Sequence, residues 1–223
     1  MPAAPRALIF DCDGVIADDE PLHLAAFQRA LAPAGITIVR DAYYARYLGL
    51  NDLEAVHLAF ADAGIAASAE QIAAAVGAKA NLFLDLVRAG PPIFPGVVPF
   101  VRAAAARVPL AVASGALRRE IDLILAQAGI AECFTTIVSS EDVREGKPSP
   151  EGFLLALARL RGSGSTELRA SDCVVVEDSQ PGVEAARRAG MRCVAVTTSH
   201  PRAALAGADV IVGSLAEVEW ARL

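Results

Sequence analysis

The sequence has no apolar run long enough to cross a bilayer without a charge or a proline interrupting it. It also lacks a basic cluster, because its 20 lysines and arginines are outnumbered by 26 acidic residues and the net charge is -6. Nucleic acid and anionic membrane surfaces both require a concentrated positive footprint, so this composition excludes them as main partners. A small phosphorylated metabolite remains compatible with it.

The sequence also lacks the signatures of export and of common nucleotide-binding motifs. The four cysteines are widely scattered, and three of them lie in or beside apolar runs typical of strands, where a reduced thiol packs as a small hydrophobe. No charged segment followed by an apolar leader precedes the first strand, so we expect a cytoplasmic protein. Residues 161–166 lack the lysine of a P-loop, and no G-x-G-x-x-G opens a helix. We expect a monomer or a weak homodimer.

Apolar runs of strand length alternate with helical patterns along most of the chain, which is typical of an α/β fold. Most of the runs are continuous rather than alternating, as in Cys173–Val176, and this indicates strands buried on both faces. The pattern therefore predicts a doubly wound parallel sheet. The predicted strands are 6–11, 109–113, 136–140, 173–177, 192–197 and 209–212.

A long segment between the first two predicted strands contains no strand-like run. Its pattern is helical, with predicted helices at 20–33, 40–47, 52–63 and 69–89, separated by Gly35, Gly49 and Gly64. We therefore predict a catalytic α/β core formed by 1–16 and 92–223, and a helical cap domain at 17–91. Both linkers meet the same part of the core, so the insertion is placed to hinge over the carboxyl ends of the strands.

Polar residues follow several of the predicted strands at the edge where an open α/β sheet forms its ligand crevice. The first strand ends in two carboxylates, the second in a serine and a glycine, and the fourth in two more carboxylates, while a lysine lies between the third and fourth strands. These residues are Asp11, Asp13, Ser114, Gly115, Lys147, Glu177 and Asp178.

Each of these residues also has an ordinary structural explanation when it is taken alone. Asp13 could bond a backbone N–H in an Asp-Gly turn, and Ser114 could cap the helix that begins near Leu117. Glu177 and Asp178 could cap the helix that follows them, and a loop lysine such as Lys147 is usually solvated. The convergence of all of them on one edge favours a functional site.

Three or four carboxylates at one sheet edge would repel each other and raise their pKa values unless a cation lies among them. Hard oxygen ligands suit Mg²⁺. A magnesium ion beside a carboxylate nucleophile, a hydroxyl, backbone N–H groups and a lysine is suited to a phosphoryl group. The chemistry predicted is phosphoryl transfer through an aspartyl phosphate.

The four motifs resemble those of the haloacid dehalogenase superfamily phosphohydrolases, in the group with a helical cap that includes β-phosphoglucomutase and phosphoglycolate phosphatase. They occur in the family's order and the similarity spans essentially the whole chain. The motifs are Asp11-Cys12-Asp13-Gly14-Val15, Ser114-Gly115, Lys147-Pro148 and Glu177-Asp178. The resemblance implies a Rossmann-like core and a magnesium-dependent phosphatase.

The resemblance also implies roles for the matching residues. Asp11 would attack phosphorus, and Asp13 would protonate the leaving oxygen and later deprotonate the hydrolytic water. Asp11, the backbone carbonyl of Asp13, and Asp178 would bind Mg²⁺, with Glu177 as a direct or water-mediated neighbour. In addition, Ser114 and the Gly115 N–H would hold the phosphoryl oxygens, and Lys147 would bridge them to the nucleophile.

The same resemblance argues against two relatives. Dehalogenases of the superfamily lack the acid/base aspartate two residues after the nucleophile, so Asp13 favours phosphorus chemistry. Phosphonoacetaldehyde hydrolases use a Schiff-base lysine early in the insertion, whereas the only lysine between residues 16 and 91 is Lys79, late in the last predicted helix. We therefore predict the hydrolysis of a small phosphorylated metabolite, such as a sugar phosphate or a phosphoglycolate-like compound.

A β-phosphoglucomutase-like sugar phosphomutase is the alternative. In that mutase a cap loop resembling residues 48–52 carries an arginine that grips the distal phosphate, but this chain has Asn51 and Asp52 there. Ala116 and Leu117 also stand where the mutase has polar and basic residues. These differences favour a phosphatase.

Several residues of the insertion keep two interpretations. His23 matches a histidine at the start of the mutase cap and is a candidate substrate-binding residue, but it could equally be a histidine on a helix face. The three tyrosines, Tyr43, Tyr44 and Tyr47, could line the substrate side or pack the helix. We assign no role to His57 or His200.

A phosphoacceptor signalling module or a sugar-phosphate-binding module is the alternative without turnover. Receiver domains of signalling proteins also gather aspartates, a hydroxyl and a lysine on a doubly wound sheet. Their acidic pair and phosphoacceptor come from separate strands, whereas the Asp11/Asp13 pair and the helical insertion favour an enzyme.

Overall fold

The computed structural model describes residues 4–48, 50–90, 93–220 and 223. The chain divides into two compact units, a core unit of Met1–Asp18 with Pro92–Leu223 and a helical unit of Asp19–Pro91. The sequence predicts the division at residues 16/17 and 91/92. Residues 91 and 92, and the predicted helix separator Gly49, lie outside the described residues.

The core unit contains a six-stranded sheet in the order β3-β2-β1-β4-β5-β6, in which every neighbouring pair is parallel. The strands are β1 Ala7–Phe10, β2 Leu110–Ala113, β3 Phe134–Val138, β4 Cys173–Glu177, β5 Arg192–Val196 and β6 Val210–Val212. The helices of the core unit are α5 Val97–Ala105, α6 Arg118–Gln127, α7 Glu151–Gly162 and α8 Gln180–Arg188. The predicted doubly wound α/β fold is confirmed.

The central strands are continuous apolar runs because they are covered on both faces. Every residue of β1, β2 and β4 is buried, and Leu8 of β1 is paired with Leu110 on one side and Val174 on the other. Strand β3 ends at Val138, two residues before the predicted end. The reason is local, since the Ser139 N–H and hydroxyl both donate to Asp142 and begin a short 3₁₀ turn there.

The helical unit has a core of its own. Its helices are α1 Glu20–Leu31, α2 Arg40–Ala42, α3 Asp52–Asp62 and α4 Ala69–Arg88, and a turn of π-helix at Tyr43–Tyr47 continues α2. Capping boxes at Asn51 and Ser68 fix the starts of α3 and α4. Tyr43 and Tyr47 are buried in the hydrophobic cluster of this unit, so both are packing residues. Within the described ranges, no helix has the length and apolarity needed to span a membrane.

Candidate active site

The candidate site begins where the strand order of the sheet reverses. Chain order runs outward from β1 to β2 and β3, and then returns to place β4 on the other side of β1. The carboxyl ends of two such strands form the crevice in which α/β proteins bind ligands. Asp11 directly follows β1, and Glu177 is the last residue of β4, followed by Asp178.

The fold brings four of the predicted residues together, and we call this group, Asp11, Lys147, Glu177 and Asp178, the acidic edge. Carboxylate oxygens of its three acids all lie within 4.8 Å of one another, and all three acids are buried. The Lys147 ammonium lies 2.8 Å from Asp11 Oδ1 and forms a second ion pair with Glu177 Oε1. Its ammonium nitrogen also lies 5.3 Å from the centre of the Phe153 ring. One lysine therefore joins the ends of two neighbouring strands.

The electrostatics of the acidic edge are unequal. Burial raises the pKa of Asp178 well above its usual value, and the neighbouring Glu177 and Asp11 charges raise it further. Burial also raises the pKa of Asp11, although Lys147 offsets part of this effect. Burial opposes ionisation of Glu177 too, but Lys147 and backbone N–H groups outweigh it and lower the pKa of Glu177. Of the three acids, Asp11 and Glu177 form the direct ion pairs with Lys147 that the described residues show.

The acidic edge has the chemistry of a site for a divalent cation. Three buried carboxylates face one ammonium group, which leaves two negative charges to be neutralised if all three acids are ionised. Carboxylate oxygens are the ligands that hard divalent cations prefer. A cation bound there would offset the burial and the neighbouring carboxylate charges that raise the pKa of Asp178. The residues present therefore fit a metal ion.

Gly14 brings the loop after β1 into close contact with Asp178. Its φ of +73° lies in the left-handed region, and a side chain there would overlap Asp178 Oδ2 and stand 2.7 Å from the Ser199 hydroxyl. The carbonyl oxygen of Gly14 accepts a hydrogen bond from the Thr198 hydroxyl. A glycine is thus needed at this position for close approach as well as for its backbone conformation.

Ser199 and His200 are neighbours of the site that our sequence reasoning missed. The Ser199 hydroxyl lies near the Asp178 carboxylate and lowers its pKa, and His200 Nδ1 lies 3.2 Å from the Asp178 carbonyl oxygen. Both residues follow β5, the strand next to β4. The rule that identified the other residues, polar side chains just beyond a strand end, would also have identified these two.

The remaining predicted residues of the core unit are Ser114, Gly115 and Asp13, which follow β2 and β1. Ser114 directly follows β2, is buried, and accepts a hydrogen bond from the Ala116 N–H, while the next residue, Gly115, is exposed. The cap of α6 is Leu117 rather than Ser114. Asp13 is half-buried in the turn after β1, where it forms a β-bridge with Ala17.

His23 belongs to the helical unit, where it is part of a second polar group. Its Nδ1 lies 2.8 Å from the ammonium of Lys79, which also donates to Asp52 Oδ1 at 2.6 Å. The His23 ring stacks on Phe83 with a centroid distance of 4.0 Å, and the ammonium lies about 5 Å from the centres of the Phe27 and Phe83 rings. We call His23, Phe27, Asp52, Lys79 and Phe83 the helical lysine cluster.

The ammonium of Lys79 determines the tautomer and the protonation state of His23. An ammonium group only donates, so Nδ1 of His23 accepts and its proton is carried by Nε2. Burial lowers the pKa of His23 well below its usual value, and the Lys79 charge lowers it further. His23 is therefore a neutral imidazole, and Nε2, 4.0 Å from Asp19 Oδ2, is its donor.

Comparisons with known proteins agree with this architecture. The family model described as haloacid dehalogenase-like hydrolase matches residues 5–190. A phosphorylated carbohydrates phosphatase from Thermotoga maritima is 32% identical over 187 residues, which cover 83% of this chain and 82% of that protein. Fructose-1-phosphate phosphatase YqaB of Escherichia coli is 32% identical over 196 residues, which cover 85% of this chain and 95% of that protein.

A solved structure shows the same fold. CbbY from Rhodobacter sphaeroides, in complex with xylulose-(1,5)-bisphosphate, has a TM-score of 0.84 and 28% identity, and the match covers 96% of each chain. The family predicted from the four motifs is confirmed by the family model. This chain belongs to the haloacid dehalogenase-like hydrolases.

Proposed function

We propose that this protein is a magnesium-dependent phosphatase that hydrolyses a small phosphorylated carbohydrate through an aspartyl phosphate. The observation that carries the proposal is the acidic edge, where Asp11 lies 2.8 Å from Lys147 among buried carboxylates with a surplus of negative charge. Two relatives of similar length act on phosphorylated carbohydrates by name. Together they favour a phosphate monoester of a sugar as the substrate.

In this proposal Asp11, Asp178 and the backbone carbonyl of Asp13 hold Mg²⁺. The bound ion would neutralise charge on the phosphoryl oxygens and lower the repulsion between phosphate and the carboxylate nucleophile. Lys147 supplies positive charge from the other side, because its ammonium has three N–H groups and the two ion pairs use two of them. The side chain of Lys147 is 21% exposed, so the third N–H can reach a phosphoryl oxygen.

The first half-reaction transfers the phosphoryl group to the protein. A carboxylate oxygen of Asp11 forms a bond to phosphorus while the bond between phosphorus and the sugar oxygen breaks. Asp13, in its protonated form, gives its proton to that leaving oxygen, so the sugar departs as a neutral alcohol. The Ser114 hydroxyl and the Gly115 N–H hold the phosphoryl oxygens in this arrangement.

The second half-reaction hydrolyses the aspartyl phosphate and returns the protein to its unphosphorylated form. Asp13 is now a carboxylate and accepts a proton from the attacking water, whose oxygen bonds to phosphorus. The bond between phosphorus and the Asp11 oxygen breaks, so inorganic phosphate leaves and Asp11 is a free carboxylate again. The same side chain thus acts first as an acid and then as a base.

Two contacts in the helical unit favour a phosphatase over the phosphomutase alternative. Asn51 and Asp52 stand where the mutase has its phosphate-binding arginine, and both are used internally. The Asn51 side chain caps α3 by accepting from the Glu54 N–H at 2.9 Å, and Asp52 binds Lys79. Neither residue supplies positive charge for a distal phosphate.

A substrate panel tests the proposal. Fructose 1-phosphate, other sugar phosphates, phosphoglycolate and nucleoside monophosphates are assayed for phosphate release with and without Mg²⁺, and ranked by kcat/KM. We expect a sugar phosphate to rank first and turnover to depend on Mg²⁺. Isomerisation of a sugar 1-phosphate, primed with its bisphosphate, that outpaces phosphate release would establish the mutase instead. Stable phosphorylation of the protein without release would establish a phosphoacceptor module.

A further inference from the structure

Lys147 lies in the middle of a short loop, residues 143–150, that connects the 3₁₀ turn after β3 to α7. Residues 144–146 of this loop are exposed, so the hydrophobic core does not hold them in place. Within the loop, the Ser149 N–H donates to the Gly146 carbonyl oxygen at 2.9 Å and forms a turn around the lysine. Contacts at the two ends of the loop must therefore decide where the lysine lies.

Glu151, the first residue of α7, closes the loop at its base. Its Oε1 and Oε2 both accept from the Arg144 N–H at 3.2 Å, and Oε2 also accepts from the Glu145 N–H at 3.1 Å. The next residue, Gly152, lies against Val143, since a side-chain carbon at position 152 would stand 4.0 Å from the Val143 side chain. The two ends of the loop thus meet at the first turn of α7.

This use of Glu151 differs from the ordinary role of an acid at the start of a helix. Such an acid stabilises the helix through its dipole or by accepting from N–H groups of the first turn. The carboxylate of Glu151 instead binds the N–H groups of Arg144 and Glu145, which lie seven and six residues earlier in the chain. These bonds fix the shape of the loop.

The position of the loop matters because of the distance that Lys147 must keep. Its ammonium lies 2.8 Å from Asp11 Oδ1 and is also paired with Glu177. A lysine side chain is a flexible four-carbon stem, so it holds such a distance only when its backbone is held as well. The closure of the loop by Glu151 provides this restraint.

We propose that Glu151 is a positioning residue, which closes the loop 143–150 at its base and so keeps the ammonium of Lys147 beside Asp11 for the reaction. This inference rests on the proposed function, in which the third N–H of Lys147 binds a phosphoryl oxygen. Glu151 acts on the reaction through the lysine. Its loss should therefore free the lysine and slow turnover together.

The small number of lysines makes the position of Lys147 measurable. The sequence contains two, Lys79 and Lys147, and their side chains are 1% and 21% exposed. Acetylation with sulfosuccinimidyl acetate, followed by peptide mass spectrometry, reports how often Lys147 leaves its two acids. The buried Lys79 is the internal control, because it is labelled when the helical unit unfolds. This measurement requires no turnover.

The variants are Glu151→Ala, Glu151→Gln, Lys147→Met and the double variant Glu151→Ala/Lys147→Met. Glu217→Ala is the matched control, because Glu217 is another exposed glutamate that accepts a backbone N–H of a loop, from Gly213 at 3.1 Å. Circular dichroism checks the folding of every variant. Phosphate release from the best substrate of the panel gives kcat and KM.

We expect Glu151→Ala to raise the labelling rate of Lys147 about tenfold and to leave that of Lys79 unchanged. The same variant should lower kcat/KM about 10- to 100-fold, because a small displacement of a positioned group is costly. Glu151→Gln keeps one acceptor oxygen and should restore most of both quantities, and Glu217→Ala should match the wild type. The double variant should be no slower than Lys147→Met alone, because residues that act as a unit are not additive.

Three results would overturn the inference. The first is labelling of Lys147 at the wild-type rate in folded Glu151→Ala, and the second is a loss of kcat/KM that adds in full to the loss in Lys147→Met. The third is a Glu151→Gln variant no better than Glu151→Ala, because the loop would then not depend on the N–H bonds. A wild type that hydrolyses no phosphate ester would contradict only the proposed function, because the labelling rates still decide whether Glu151 holds Lys147.

Discussion

Each unit of the molecule contains a lysine enclosed by polar and aromatic partners, and the two sites differ in charge and exposure. In the acidic edge, Lys147 pairs with Asp11 and Glu177, and Asp178 lies nearby. The side chain of Lys147 is 21% exposed. In the helical lysine cluster, Lys79 pairs with one carboxylate, Asp52, and with a neutral imidazole, and its side chain is 1% exposed. The first has a surplus of negative charge, and the second closes its lysine between two aromatic rings.

This difference is the one expected between a ligand-binding site, here the acidic edge, and a structural cluster, here the helical lysine cluster. A surplus of buried carboxylates costs stability unless a cation binds, and such arrangements are concentrated at functional sites. A buried ammonium that has a carboxylate, an imidazole nitrogen and two ring faces is already satisfied. We therefore expect the lysine of the acidic edge to take part in chemistry and the lysine of the helical cluster to stabilise packing, because the charges around them differ.

The largest expected effect follows from removing the proposed nucleophile of the acidic edge, Asp11. Asp11→Asn should lower kcat by at least about 10⁴-fold, because an amide cannot form the aspartyl phosphate. Phosphate release from the best substrate of the panel measures this, with circular dichroism as the control for folding. Activity near that of the wild type would show that Asp11 is not the nucleophile.

The next largest effect tests the structural role of the helical lysine cluster. Lys79→Met should lower the free energy of unfolding by about 2 to 4 kcal/mol, because Asp52 loses its buried partner. Urea denaturation measures it. Arg88→Met is the matched control on the same helix, since Arg88 and its partner Asp85 are both largely exposed. Equal stability of the two variants would contradict a structural role for Lys79.

A smaller effect is expected at the neighbour of Asp178. Ser199→Ala should weaken Mg²⁺ binding about tenfold, because residues that hold a ligand in place contribute to metal affinity. Calorimetric titration with Mg²⁺ measures the change. Ser163→Ala removes an exposed hydroxyl that bonds only to a carbonyl of its own helix, and it should leave the affinity unchanged. The same affinity in both variants would show that Ser199 does not position Asp178.

The smallest expected effect is a pH dependence of protein stability that arises from His23. Burial and Lys79 lower the pKa of His23 in the folded state below the usual value of 6.5, so the unfolded chain takes up the proton first. The contribution of neutral His23 to stability should therefore be fully present above about pH 6.5 and should be lost as the pH decreases below it. Melting temperatures between pH 5 and 8 should show a weaker fall for His23→Gln. Identical profiles would mean that His23 does not contribute to the pH dependence.

The sequence predicted most of the fold because its central strands are buried on both faces. Such strands are continuous apolar runs, and their ends are marked by the first polar residues, such as Asp11 after β1 and Glu177 at the end of β4. The end of β3 was predicted two residues too late. The bond that ends this strand, from Ser139 to Asp142, competes locally with the ladder, and an apolar pattern does not report it.

The interior of the helical unit could not be predicted in the same way. The sequence places Lys79 on the last helix of the insertion but does not indicate its partners, because they come from α1 and α3. A charged residue in a helical pattern normally indicates the solvated face. Only the packing of the three helices shows that this lysine is fully buried.

The convergence of the candidate residues on one sheet edge could be predicted from the sequence alone. Parallel strands bring their carboxyl ends to one edge, so the residues after each apolar run converge whatever the lengths of the connections between them. Tertiary structure decided how two adjacent acids divide their partners. Glu177 and Asp178 cannot be told apart by composition or spacing, and the difference arises because the first turn of α8 and Lys147 enclose only Glu177, while Asp178 is left beside the other carboxylates.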